Sequence, residues 1–318
     1  MESIRPVFVF SLPRSGSTLL QRVLKTHSRI ATTPEPWLLL PLLSMMREGV
    51  FADYNHSVAR RAIADFQQRV GGGKEGFDEE LRAFVLRLYR RAAGESATYF
   101  LDKTPRYHLI ASDILDLFPS SRAVILWRNP LAIMASMIET WGNSEWNLYR
   151  YNVDFYRGLP ALVDLAADER SNVFSVRYED LVTRQEETLK QLCDHLDVAY
   201  EELDMRPPSL NGVVGDPSQD QYDSISAASL EKWRAVLTNP LRKRRARSYL
   251  NWLGSERLRI MGYSYEDLTR VINDSPLTLE YLGGDLIGAL KSVVWPFGEY
   301  EIYKHKLQSS NDSMIHHG

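Results

Sequence analysis

The chain has a single cysteine, Cys193, among 318 residues. A disulfide framework within the chain is excluded, and a cysteine-based zinc site has no ligands to draw on. The run Cys193-Asp194-His195 has no arginine six residues after the cysteine, which sets aside a cysteine-dependent phosphatase. One thiol fits a reducing compartment. An excess of positive charge is also missing. Lys and Arg number 38 against 41 Asp and Glu, a net charge of -3. That balance gives no general attraction to nucleic acid, so any anion site must be built from local basic residues. Long apolar runs are absent too. Residues 7–10 are too few for a signal peptide and lack a cleavage pattern. Residues 37–46 are interrupted by Pro41 and are too few to cross a bilayer. The expectation is a cytoplasmic protein with no transmembrane segment and no nucleic-acid partner. No repeat or low-complexity tract is visible.

What is present is the composition of a folded domain, with 44% hydrophobic and 25% charged residues. The length suits one large α/β domain or two smaller ones. Short apolar, β-rich runs occur at residues 7–10, 98–102, 123–127 and 173–176. Helical spacing follows or intervenes at 17–24, 36–47, 57–70, 79–93, 109–118, 131–141, 227–237 and 241–253. Gly71-Gly72-Gly73 reads as a loop, as does the polar stretch 211–223. Strands alternating with helices imply βαβ units, and Ala123-Val124-Ile125-Leu126-Trp127 is the continuous apolar run of a buried parallel strand. The fold class is α/β, a parallel β-sheet flanked by helices.

The first strand runs into Ser11-Leu12-Pro13-Arg14-Ser15-Gly16-Ser17-Thr18 and then a helix. Strand, glycine loop and helix form an arrangement that binds phosphate. The unpaired N–H groups at the helix start point outward, and the helix dipole adds partial positive charge. Gly16 permits close backbone approach. Ser15, Ser17 and Thr18 supply hydroxyls, and Arg14 a permanent planar cation. No lysine precedes Ser17 or Thr18, so the loop is not the Walker type of nucleotide kinases and NTPases.

Residues 12–20, Leu12-Pro13-Arg14-Ser15-Gly16-Ser17-Thr18-Leu19-Leu20, resemble the 5′-phosphosulfate loop of the sulfotransferases that use 3′-phosphoadenosine 5′-phosphosulfate (PAPS). The resemblance is to the bacterial and tyrosylprotein branches. A second match is Arg128, with Ser136 eight residues on. The family uses an Arg and a Ser at this spacing for the 3′-phosphate. Eight residues span about 12 Å of helix, and Pro130 suits a first helical turn. Three shorter matches agree. Leu101-Asp102-Lys103-Thr104-Pro105 resembles a segment whose lysine approaches the transferring sulfuryl group. Val176-Arg177-Tyr178-Glu179-Asp180-Leu181 resembles one whose tyrosine lies near the nucleotide. Gly212-Val213-Val214-Gly215-Asp216-Pro217 with Lys232-Trp233 resembles a late loop and lysine that close over the donor. The resemblance spans about residues 7–253. It implies a P-loop-NTPase-like sulfotransferase fold, PAPS as donor and no metal.

On that resemblance the donor is held by Arg14, Ser15, Gly16, Ser17, Thr18, Arg128, Ser136, Tyr178 and Lys232. Lys103 and Arg14 are the candidates for stabilising the transferring group. Glu35, in Thr33-Pro34-Glu35-Pro36-Trp37, is the first candidate for the base that takes the acceptor's proton. A solvated glutamate in a rigid proline-flanked turn is the plain alternative. His108 is the second candidate base, weighed against an ordinary surface or core histidine, and His56 a third.

Trp141, Trp146, Tyr149, Tyr151 and Tyr156 are either core packing or the wall of an acceptor cleft that stacks on a sugar or ring. Arg242-Lys243-Arg244-Arg245-Ala246-Arg247 holds five cations in six residues, read as a solvated helix face before a patch that attracts an anionic acceptor. The division expected is a sulfotransferase domain at 1–274 and a C-terminal extension at 275–318, docked on the domain in preference to a homodimer contact or a membrane-surface contact. Sugar, lipid, peptide and small natural product all stay open as acceptor. The alternatives are an NTP-dependent kinase of the P-loop type and a non-catalytic nucleotide-binding protein.

Overall fold

The computed structural model describes residues 4–44, 56–142, 144–204 and 228–292. In chain order the first half contains β1 (Arg5–Phe10), α1 (Ser17–Lys25), β2 (Ile30–Thr32), α2 (Leu39–Ser44), α3 (His56–Arg69), α4 (Gly73–Ala93) and β3 (Tyr99–Asp102). Then come α5 (Ala111–Leu117), β4 (Arg122–Trp127), α6 (Pro130–Trp141), α7 (Leu159–Ala167) and β5 (Val173–Arg177). The remainder is helical: α8 (Tyr178–Thr183), α9 (Gln185–Leu196), α10 (Ala228–Glu231), α11 (Trp233–Val236), α12 (Pro240–Ile260) and α13 (Tyr265–Asp274). A further helical stretch covers 282–292.

The five strands are all parallel, in the order β2-β3-β1-β4-β5. Parallel strands need helical crossovers, so both faces of the sheet are covered. The apolar residues of β1 divide accordingly. Phe8 and Phe10 join one core, with Phe100, Ile125 and the α6 face. Val7 and Val9 join the other, with Leu20, Leu24, Val124 and the α9 face. The chain leaves β1 toward β2 and β3 on one side, then crosses to β4 and β5 on the other. The carboxyl ends of β1 and its two neighbours therefore flank the point where strand order reverses, the usual crevice for ligands in an open α/β sheet.

Several boundaries differ from the sequence expectations. β2 has three residues, too few to stand out from its surroundings. α4 begins at Gly73, six residues earlier than predicted, because Gly72 and Gly73 both take left-handed backbone (φ 83 and φ 64) and turn the chain directly into the helix. The predicted helix 227–237 is two short ones, α10 and α11. The helix predicted at 36–47 is described only as Leu39–Ser44. The loop 211–223, with the motif 212–217, lies outside the described residues, as does the side chain of His56.

The basic run on α12 is a solvated face only in part, with Arg244 exposed and Arg245 and Arg247 half-buried. Arg242 and Lys243 are buried. Arg242 donates from Nε to Asp285 Oδ2 at 2.6 Å and from Nη2 to Asp285 Oδ1 at 3.0 Å. Asp285 is fully buried and also accepts from Trp146 N at 2.7 Å and Asn239 Nδ2 at 2.6 Å. Lys243 donates to the carbonyl of Ser275. Residues 275–288 thus lie against α12 and the segment around Trp146.

Candidate active site

β1 ends at Phe10 and the chain turns sharply before α1. Ser15 N donates to Leu12 O at 3.3 Å, and Arg14 and Gly16 both adopt left-handed backbone, φ 67 and φ 90. A non-glycine residue held there is a strain that clusters at functional sites. Gly16 caps α1 without a side-chain hydrogen bond, and the first turn has no acidic residue. The N-terminal N–H groups and the dipole of α1 are therefore left for an external anion. Gly16 is required for a second reason. A Cβ there would lie 2.4 Å from Cδ2 of Tyr178. Ser15 is buried, and its Oγ has no hydrogen-bond partner among the described residues.

Arg128 follows β4 and reaches the same loop. Its Nη1 donates to Arg14 O at 2.7 Å, and its guanidinium sits over the Tyr178 ring, 4.6 Å from the centroid. Its Nε is buried with no partner among the described residues. Arg14 Nε donates to Ser136 Oγ at 3.1 Å. Ser136 is placed by α6, which Pro130 starts and Asn129 caps by accepting from Leu131 N at 2.9 Å. Arg14, Gly16, Arg128, Ser136 and Tyr178 thus form one connected cluster, although up to 164 positions separate them in the chain.

A second cluster lies on the other side of the loop, and strand register builds it. Thr32 of β2 pairs with Leu101 of β3, which brings residues 33–35 beside Asp102 and Lys103. Gln21 of α1 clamps the stretch by donating 2.8 Å bonds to Thr32 Oγ1 and Thr33 O. Lys103 Nζ then meets Glu35 Oε1 at 2.5 Å and Thr18 Oγ1 at 3.4 Å. Both side chains of the pair are almost wholly buried. Beneath them Asp102 is fully buried and accepts from Tyr89 OH (2.6 Å), Tyr107 OH (2.9 Å) and Thr104 Oγ1 (3.1 Å). Burial pushes its carboxyl up to about 6, against the pull of those three donors and of Lys103. This carboxyl anchors the turn that presents Lys103.

Ser17, Thr18, Arg14, Glu35 and Lys103 line one cleft of about 180 Å³, together with Arg106, Trp141, Tyr151 and Asp154. The Trp141 and Tyr151 rings lie 4.8 Å apart, so two of the aromatic residues noted in the sequence do face this cleft. His108 does not. It is fully buried, with Nδ1 3.2 Å from Ser11 O and Nε2 3.1 Å from Asp154 Oδ1. Its place is behind the cleft wall, which corrects the expectation of a base touching the acceptor. Lys232 is exposed just before α11 and does not line the cleft of Lys103 and Glu35. Sequence reasoning missed Asp154 and Arg106.

Residues 6–202 match the model of the sulfotransferase family. The chain belongs to the sulfotransferase family. Among curated proteins it is 28% identical to the nodulation protein NoeE of Sinorhizobium fredii over 73% of this chain, and it spans 60% of that protein's length. It is 24% identical to a putative protein-tyrosine sulfotransferase of Caenorhabditis briggsae, over 71% of this chain and 80% of that one. Two solved sulfotransferase domains share the fold. One comes from the Synechococcus PCC 7002 olefin synthase, with a TM-score of 0.52 and 23% identity, covering 74% of this chain and 89% of that one. The other comes from the curacin biosynthetic pathway, with a TM-score of 0.52 and 22% identity, covering 82% and 98%.

Away from this cleft, Trp146, Tyr149 and Tyr156 line a different cavity of about 310 Å³ with Arg245 and Tyr249. Cys193 is buried in the core, where burial pushes its thiol up to about 11 and leaves it inert. No described helix is long and apolar enough to cross a membrane.

Proposed function

We propose that the protein transfers the sulfuryl group of PAPS to a hydroxyl or amine of an acceptor, with Glu35 as base. The observation that carries this reading is the pair of anion sites on one loop. On one side Arg128, whose buried Nε lacks a partner among the described residues, lies over Tyr178 and donates to the carbonyl of Arg14, which in turn donates to Ser136. On the other side Lys103 meets Thr18 and Glu35. A donor with a 3′-phosphate and a 5′-phosphosulfate needs two such sites. An NTP-dependent kinase needs a Walker lysine, which the loop lacks, and has no use for a site at the 3′ position.

The residues present fit the donor. Arg128 and Ser136 would hold the 3′-phosphate, and Ser15, Gly16, Ser17 and Thr18 the 5′ end. Arg128 grips through a planar fork, and the orphaned Ser15 hydroxyl supplies a donor that burial otherwise leaves unpaired. Tyr178, already stacked under Arg128, would pack near the nucleotide. When bound, the donor supplies a sulfur centre open to in-line attack.

This chain's own residues then position and move a proton. Lys103 and Arg14 neutralise charge that builds on the oxygens around the sulfur. Glu35 takes the proton of the attacking hydroxyl. The Lys103–Glu35 contact sets the base beside the stabilising cation, so attacking and leaving oxygens meet their partners in one place.

Thermal unfolding with adenosine 3′,5′-bisphosphate, AMP and ATP at equal concentration tests the reading. A ligand at 100 times its Kd adds about 2.7 kcal/mol. That raises the midpoint by several degrees, at about 2–4 °C per kcal/mol for a large domain. A rise with the bisphosphate alone supports the reading. A rise with ATP alone overturns it in favour of a kinase.

A further inference from the structure

The cleft holds a second carboxylate, and it is built with more care than Glu35. Asp154 is fully buried, and neither of its oxygens has a hydrogen-bond partner of good geometry among the described residues. It opens a single turn of π-helix, Asp154–Gly158, a form found mostly where a helix is bent to serve a site. His108 presses on it from behind at 3.1 Å, and Arg106 covers it from the exposed side, with Nε 3.5 Å from Oδ1. Ser11 O can only accept, so His108 Nδ1 carries a proton toward it, and the ring's other nitrogen is turned to Asp154. The ring thus lies packed between the end of β1, where the donor loop begins, and Asp154.

Two further features hold this arrangement in place. A Cβ on Gly158 would fall 1.9 Å from Cδ2 of His108, although Gly158 has ordinary helical backbone. Glycine stands there to admit the imidazole. Arg106 is held at φ 69, the left-handed region that arginine rarely occupies. The residues assigned to the donor leave unused a buried carboxylate with an open oxygen, the cation kept over it at some strain and the ring of Tyr151, while Trp141 lies between this group and Arg14, whose guanidinium is 5.8 Å from its ring centroid.

We propose that Asp154 and Arg106 form the acceptor-recognition site, with His108 as the residue that positions Asp154, and that the acceptor is a sugar ring presenting a hydroxyl next to the one sulfated. This rests on the sulfotransferase reading of the cleft. Asp154 accepts a hydrogen bond from the neighbouring hydroxyl, and Arg106 donates to the oxygens of the ring. Trp141 and Tyr151 supply an apolar wall for its C–H face. Arg106 already faces the Asp154 carboxylate, so a cationic amine gains little there, while a neutral hydroxyl finds a free acceptor. A lone phenol, as in a peptide tyrosine, offers no second hydroxyl for Asp154.

The test uses the full-length protein with labelled PAPS, a set of methyl hexopyranosides, and a tyrosine-containing acidic peptide. The midpoint shift with adenosine 3′,5′-bisphosphate is recorded for every variant. Absence of that shift in the wild type would defeat the donor reading itself. With the shift present, label is expected on a hexopyranoside. D154N is expected to lower kcat/KM for it roughly 100-fold, through KM more than kcat, with the bisphosphate shift intact. The decisive arm pairs the enzyme variant with the sugar lacking the neighbouring hydroxyl. Each change alone costs activity. If Asp154 binds that hydroxyl, the two losses do not add, and a merely structural Asp154 would make them multiply. Should D154N fail to fold, R106A, at a half-buried position, is expected to raise KM for the hexopyranoside with the bisphosphate shift intact, and an unchanged KM would overturn the proposal. Multiplying losses, label on the peptide but on no sugar, or no label on either despite bisphosphate binding would each overturn the proposal.

Discussion

At the scale of single residues, the two carboxyl groups nearest Lys103 are expected to behave in opposite ways. Glu35 touches the cation and lines the cleft, whereas Asp102 lies beneath the turn and reaches no ligand. E35Q keeps the shape and a hydrogen-bonding group but cannot take a proton. With a competent acceptor, kcat is expected to fall about 10²–10⁴-fold, the usual share of general base catalysis. The midpoint shift with adenosine 3′,5′-bisphosphate should stay at the wild-type value, and near-wild-type turnover would remove Glu35 from the role. Asp102 concerns stability instead. Its folded carboxyl titrates near 6, raised by burial above the ordinary value of 3.8. Between those two values the folded chain keeps a proton that the unfolded chain has released. Asp102 therefore favours folding least above pH 6, and its contribution declines as pH rises from about 4 to about 6. Two pK units correspond to about 3 kcal/mol. Urea unfolding across pH 4–7 should show this as a difference in slope between wild type and D102N. Equal slopes would refute the assignment.

At the scale of elements, the loop between β1 and α1 shows how a short motif becomes a site. The order Arg14-Ser15-Gly16-Ser17-Thr18 was legible as an anion loop because strand, glycine and helix start follow one another in the chain. The second job of Gly16 was not legible, since Tyr178 arrives from the end of β5. G16A combines a left-handed backbone with a Cβ 2.4 Å from the Tyr178 ring. It is expected to cost about 1–3 kcal/mol of stability and to abolish the bisphosphate shift. A normal shift in a folded G16A protein would mean that Tyr178 is not needed where it stands. Glu35 and Lys103 were each visible in the sequence, but their meeting depends on β2, a strand too short to be seen. Asp154 had no signal at all. A lone aspartate among aromatic residues acquires meaning only from His108, which stands 46 positions earlier. Within the basic run on α12, the burial of Arg242 was missed for a reason that spacing could have supplied. Arg242 falls on the same helix face as Ala246, Tyr249, Leu250 and Leu253, all of them buried.

At the scale of the whole molecule, that buried arginine determines how the C-terminal residues relate to the sheet domain. Arg242 and Asp285 are both almost wholly inaccessible, and their pair closes over the chain at Trp146, next to the wall of the second cavity. A buried pair adds little over a well-packed apolar pair, yet loss of one partner strands a charge in the interior. D285A in the full-length protein leaves the Arg242 guanidinium with the carbonyls of Val236 and Ser144 and the face of the Tyr281 ring, and with no counter-charge beside it. The expected cost is about 3–5 kcal/mol. The midpoint should fall by roughly 10 °C, at about 2–4 °C per kcal/mol. The double variant R242M with D285L removes both charges and should recover much of that loss. The bisphosphate shift should be the same in all three proteins, because neither residue lies in the two clusters around the donor loop. If D285A unfolds at the wild-type midpoint, residues 275–292 contribute nothing to holding the domain together. If the double variant is as unstable as D285A, the loss comes from packing rather than from a stranded charge.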